Sequence, residues 1–305
     1  MFVRRRFFLY NKAFLFNGIC SKPEKLRQSL SPADCDKYDI YVEEVFKRYG
    51  LNTSLIDNKK TDRLVAGALM STIADRVVYE AFREKGIVPQ IGCGYSSGLV
   101  GACTCFSSIS YDVSYDIIFC NRNTVLALEQ NDKHFDMGVI IGMDGNDISE
   151  IIQSTGESEN VVIGSVNSRI CSMITGREPS VARVLEAATN EGALKAIKMN
   201  VGMAYHTPLI EPYASAYQKL VSEVDYKDPE YPIVSVFTNE PMMTAEEIRE
   251  EQIKDIITPM RWDLSIAKME ELGVTEFYDT SADGAIKKFS RLKKRSSKIY
   301  TYADL

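Results

Sequence analysis

Only two histidines, His134 and His206, occur in the 305 residues, so chemistry that needs an imidazole has two places to happen. Nucleophilic attack by serine is such chemistry, because the hydroxyl is weak until a neighbouring base takes its proton. Gly94-Tyr95-Ser96-Ser97-Gly98 supplies a candidate serine, Ser96. The pattern G-x-S-x-G suits a nucleophile on a sharp strand-to-helix turn, where glycines two places either side relieve crowding. The turn also puts the hydroxyl at the start of a helix, whose first N–H groups can receive a developing oxyanion. A tight turn without chemistry would use the same five residues. The flanks favour the first reading: residues 87–91 read as a strand, and Leu99-Val100-Gly101-Ala102 opens a helix with small packing residues.

The base follows from the histidine count. His134 sits in the polar stretch Asn131-Asp132-Lys133-His134, which reads as surface loop. His206 lies in Ala204-Tyr205-His206-Thr207-Pro208, where Thr207 is a natural N-cap and Pro208 a natural first helical residue. A helix N-terminus disfavours positive charge, which keeps a nearby imidazole neutral and able to accept a proton.

The elements that must position these groups read as α/β. Short apolar runs alternate with longer helical patterns, the signature of a mainly parallel sheet. Residues 13–16 form a first buried strand closed by Asn17-Gly18, and helical patterns cover 38–49, 62–84 and 114–130. The rhythm then changes: strands at 137–142, 161–166, 170–175 and 194–199 alternate with helices at 144–153 and 179–190. That βαββαβ order predicts a ferredoxin-like insert. After Pro208 the larger pattern resumes, with a helix to about residue 224, a strand at 233–237 and further strands near Val274 and Ile299. The expected division is a large domain of 12–135 and 204–305, a small subdomain of 136–203 and an N-terminal extension of 1–11.

Bulk properties narrow the function classes. Hydrophobic residues make up 45% and charged residues 26%, enough for a sizeable core. A net charge of −6 argues against nucleic acid or anionic membrane as the main partner. Seven cysteines show no paired spacing, and Cys103-x-Cys105 lacks the two-residue gap of a zinc knuckle, so no metal site and mostly core-filling thiols are expected. Met1-Phe2-Val3-Arg4-Arg5-Arg6 resembles the start of a signal peptide, but the apolar run that follows is broken by Asn11 and Lys12. A cytoplasmic location is expected.

Six anchors, in order, resemble the malonyl-CoA:acyl-carrier-protein transacylases and the acyltransferase domains of polyketide synthases. They are Phe14-Leu15-Phe16-Asn17-Gly18; the Ser96 motif; Arg122 in Cys120-Asn121-Arg122-Asn123; Asn167-Ser168 with Ile174-Thr175-Gly176; Ala204 to Pro212 around His206; and Thr258-Pro259-Met260-Arg261-Trp262. The resemblance spans about residues 12–292. It implies an α/β-hydrolase-like core with an inserted ferredoxin-like subdomain, and a two-step exchange of a malonyl group through an ester on Ser96. Ser96 and His206 would be catalytic, the backbone N–H groups of Ile19 and Ser97 would form the oxyanion hole, and the backbone carbonyl of Asp255 would orient the histidine. Arg122 would grip the malonyl carboxylate, and bulky Tyr205 would favour unbranched malonyl over methylmalonyl. The substrates implied are a coenzyme A thioester and an acyl carrier protein in fatty-acid or polyketide synthesis, with no bound cofactor and a monomeric enzyme. The chain departs from the family pattern at Gly18-Ile19-Cys20-Ser21-Lys22, at Tyr95, at Leu99 and at Thr280-Ser281-Ala282-Asp283-Gly284.

The basic run 287–298 reads as a solvated helix end, or as a patch that steers an acidic carrier. An acyl hydrolase that edits carrier proteins and a non-catalytic carrier-binding relative are the alternative functions. A carboxylate-binding arginine separates the transferase from the first, and the Ser96–His206 pair separates it from the second.

Overall fold

The computed structural model describes residues 10–18, 23–51, 60–131 and 133–305. Strand β1 (Lys12–Phe16) shows how the larger unit is built. Successive side chains of a strand point to opposite faces. Phe14 and Phe16 therefore enter one core with Leu69, Ile73 and Phe106, while Ala13 and Leu15 enter a second with Trp262, Ile266 and Met269. A strand buried on both faces reads as one continuous apolar run, which is why residues 13–16 stand out in the sequence.

Around β1 a six-stranded sheet forms from β2 (Ile91–Gly94), β7 (Ile233–Val234), β8 (Pro241–Met242), β9 (Glu276–Asp279) and β10 (Lys298–Tyr300), in the order β10-β9-β1-β2-β7-β8. All pairs are parallel except β7 with β8. Helices α3 (Lys60–Glu84), α4 (Gly98–Cys105) and α5 (Tyr111–Gln130) pack on the Phe14 side, and α10 (Trp262–Glu271) packs on the other.

A second sheet, of β3 (Phe135–Ile141), β4 (Val161–Ser168), β5 (Cys171–Arg177) and β6 (Lys195–Lys198), is antiparallel in the order β4-β5-β3-β6. Helices α6 (Gly145–Ser154) and α7 (Glu178–Asn190) supply its core partners, with Ile140 and Ile174 packing against Ile148, Val184 and Leu185. With the two helices in their βαββαβ positions, this is the ferredoxin-like arrangement. Backbone bonds join the smaller sheet to the segment before α10 of the larger unit: Met260 N–H donates to the Gly164 carbonyl at 2.9 Å, and Val166 N–H to the Met260 carbonyl at 3.1 Å. Among the described residues no helix is long and apolar enough to cross a membrane.

Three elements differ from the sequence expectation. The strand expected at 87–91 lies at Ile91–Gly94, because Gly86 (φ 76°) ends α3 and Ile87 N–H bonds back to the Phe82 carbonyl. Pro89 adds no donor to a ladder. The helix expected from Pro208 to about 224 is a 3-10 turn, Pro208–Tyr213, followed by α8 (Ser215–Glu223). Pro212 lies within the turn and has no N–H to extend an α-helical ladder. The strand expected at 233–237 stops at Val234, where Ser235 turns the chain by accepting the N–H groups of Phe237 and Thr238.

Candidate active site

Ser96 stands at the carboxyl end of β2, between that strand and α4, and has a left-handed backbone, φ 55°. That conformation costs a non-glycine residue about 1–2 kcal/mol, so the surroundings must hold it. They do so through close backbone approach. A Cβ at Gly94 would lie 2.2 Å from Leu99 N, one at Gly98 2.2 Å from the Phe16 carbonyl, and one at Gly18 2.0 Å from the Tyr95 carbonyl. Tyr95 N–H completes the corner by donating to the Phe16 carbonyl at 2.9 Å.

His206 is also left-handed, φ 60°, and fully buried. Its backbone N–H donates to the Ile256 carbonyl at 2.7 Å, and Thr207 beyond it caps the 3-10 turn by accepting from Leu209 N–H. The two side chains meet: Ser96 Oγ is 2.7 Å from His206 Nε2. For Nε2 to accept the hydroxyl proton, the neutral ring carries its own proton on Nδ1. Burial pushes the imidazole pKa down to about 4, against the opposing pull of the Asp255 and Thr258 backbone carbonyls. The ring is a neutral acceptor at physiological pH. Nδ1 has no partner in hydrogen-bond geometry among the described residues.

Asp255 closes α9 (Ala245–Lys254), and its own carboxyl is buried. Burial first, and then the charge of Glu251, raise that carboxyl to about 7. Glu251 is likewise pushed up to about 7 by burial, while accepting from Ser235 Oγ and Val236 N–H.

A cavity of about 440 Å3 opens on the pair, and Gly18, Ser96, Ser97, Tyr205, His206 and Asp255 lie on its wall. Ser97 starts the first turn of α4, so its N–H is placed to receive an oxyanion beside Ser96. Ile19, the other expected donor, lies outside the described residues. Arg122 is not brought onto the wall. On α5 the lining residues are Ile118 and Asn121, one turn apart, and half-buried Arg122 follows about 100° further round the helix. Asn121 Oδ1 is buried without a hydrogen-bond partner among the described residues. From the basic run, exposed Lys288 and Arg291 do reach the lining. His134 is exposed and far along the chain from the pair.

No family model matches the chain. It is 27% identical over 223 residues to the malonyl CoA-acyl carrier protein transacylase of Bacillus subtilis (strain 168), covering 71% of this chain and 70% of that protein. The solved malonyl CoA-acyl carrier protein transacylase of Coxiella burnetii superposes with a TM-score of 0.81 at 21% identity, over 97% of this chain and 94% of the other. A malonyl-transacylase solved in complex with a type II polyketide-synthase acyl-carrier protein superposes at 0.79 and 19% identity, over 95% of each chain. The chain is thus similar in sequence to malonyl CoA-acyl carrier protein transacylases and shares the fold of their solved structures.

Two supports of this site were not read from the sequence. Tyr95, next to the nucleophile, donates to Asn167 Oδ1 at 3.1 Å and packs edge-on against Trp262, tying the serine turn to the smaller sheet. Buried Asp75 of α3 accepts the backbone N–H of Asn17 at 2.9 Å, just ahead of Gly18. An acidic residue on the apolar face of a helix was the available signal for Asp75. Nothing in the sequence pairs positions 95 and 167.

Proposed function

We propose that the chain moves a malonyl group from malonyl-CoA to the phosphopantetheine thiol of an acyl carrier protein, in fatty-acid or polyketide synthesis in the cytoplasm. The 2.7 Å contact between Ser96 Oγ and the neutral His206 ring carries this reading. His206 Nε2 takes the Ser96 proton as Oγ attacks the thioester carbonyl, and the Ser97 N–H stabilises the oxyanion. The C–S bond then breaks, the departing thiolate takes the proton from His206, and malonyl remains as an ester on Ser96. The carrier thiol reverses these steps, giving its proton to His206, and leaves as the malonyl thioester. No cofactor is required.

For the malonyl carboxylate, the reading uses cations at the cavity. Lys288 and Arg291 stand on its wall, and Arg122 contributes if its long side chain turns inward from the next position after Asn121. Arginine suits this role because its fork binds a carboxylate through two parallel bonds. The Asn121 amide can add a donor, since the amide oxygen and nitrogen exchange places by a rotation.

The test mixes the enzyme, malonyl-CoA and a phosphopantetheinylated acyl carrier protein and follows the carrier by intact mass. Gain of one malonyl group on the carrier, absent with Ser96→Ala, is expected. Release of malonate and coenzyme A with no carrier product would make the protein a hydrolase instead.

A further inference from the structure

The smaller sheet has two apolar faces, and only one is accounted for by its helices. Ile140 and Ile174 pack against α6 and α7. Alternate residues Met137, Val139 and Ile141 lie on the other face of β3, and the strand register sets Met173 and Cys171 of β5 opposite Val139 and Ile141. These five side chains line the cavity that holds Ser96. Leu64, Val65 and Ile118 face it from the larger unit.

A malonyl group leaves this apolar face unused. It offers one methylene, and its carboxylate belongs with Lys288 and Arg291 on another part of the wall, since against apolar side chains it would lose its hydration without compensation. The phosphopantetheine arm carries two amides, which the same side chains cannot hydrogen-bond. An unbranched hydrocarbon chain tethered to Ser96 needs nothing else from the wall. We propose that the cavity also takes neutral, saturated acyl thioesters of medium chain length and loads them on Ser96. This rests on the acyl-Ser96 reading above and widens its substrate class. The step is the same exchange: the thioester C–S bond breaks, a C–O bond forms to Oγ, and His206 passes the serine proton to the thiolate.

The experiment measures acyl-enzyme formation by intact mass with malonyl-, acetyl-, butyryl- and octanoyl-CoA at equal concentration. Each methylene buried on an apolar wall is worth about fourfold in binding, so octanoyl loading should exceed acetyl loading by about tenfold or more. Val139→Trp, which fills the wall, should lower the octanoyl-to-malonyl ratio, a change that general misfolding would not produce. Malonyl loading with no octanoyl loading, or octanoyl no faster than acetyl, would overturn the inference and leave the malonyl reading standing. Octanoyl loading without malonyl loading would support it and remove the malonyl reading. Loading by none of the four would remove both.

Discussion

At the Ser96–His206 corner almost every position is set by backbone. Two residues sit in left-handed conformations, three glycines allow main chains to touch, and the bonds that close the corner run from N–H to carbonyl. The facing wall, from β3 and β5, is set mainly by side-chain bulk: Met137, Val139, Ile141, Cys171 and Met173 line it, with sulfur as their only heteroatom. Chemistry that depends on a 2.7 Å contact needs the first kind of construction, because errors of about 1 Å at a reacting centre cost about a hundredfold. Choice of acyl group tolerates the second kind, since each methyl changes discrimination by only about 1–3 kcal/mol. The rate should therefore be brittle to changes at the corner, and acyl preference should drift with changes on the wall.

Mutations at the corner sharpen that contrast. His206→Ala should slow acylation by about 10²–10⁴-fold, read from the rate of acyl-enzyme formation, because no other imidazole is near. A loss under tenfold would mean another group serves as base. Gly18→Ala should follow. The added Cβ would sit 2.0 Å from the Tyr95 carbonyl, so the β1 loop must lift off the serine turn. Forced overpacking of this sort costs about 1–3 kcal/mol, and a kcat loss of about tenfold or more with a lowered Tm is expected.

Acidity tests the corner without a mutation. The acid limb of kcat/KM should fall near pH 4, where burial has moved the His206 ring, instead of near the ordinary 6.5. Because the folded pKa lies below the unfolded one, the unfolded chain binds the proton first. Stability is lost as pH falls from about 6.5 toward 4. A limb centred at 6.5 would mean the ring is solvated. The smallest effect belongs to the link between the two sheets. Tyr95→Phe deletes one bond to Asn167, worth about 1 kcal/mol. A Tm lower by about 2–4 °C with kcat nearly unchanged is expected.

How much of this could be read in advance follows from the same contrast. Strand β1, the order β3-α6-β4-β5-α7-β6 and the Thr207 cap were legible, because each leaves a local pattern of period or residue type. The Ser96 turn was legible because glycine is needed where backbones touch. The strand leading into it was misplaced by about four residues, since its true extent is set by pairing with β1 and not by its own composition. The left-handed φ of His206 and the Tyr95–Asn167 bond left no local trace, as both depend on partners far away in the chain. Helix α5 shows how fine such a reading must be: a one-residue step along it changes which side chain faces the cavity, and Asn121 is on the lining.

Site-mapped mass spectrometry after brief exposure to malonyl-CoA tests the central claim most directly. One malonyl group on the peptide containing Ser96, absent from Ser96→Ala and much reduced in His206→Ala, is the result this geometry predicts. A label that survives Ser96→Ala, or that maps to another side chain, would contradict it.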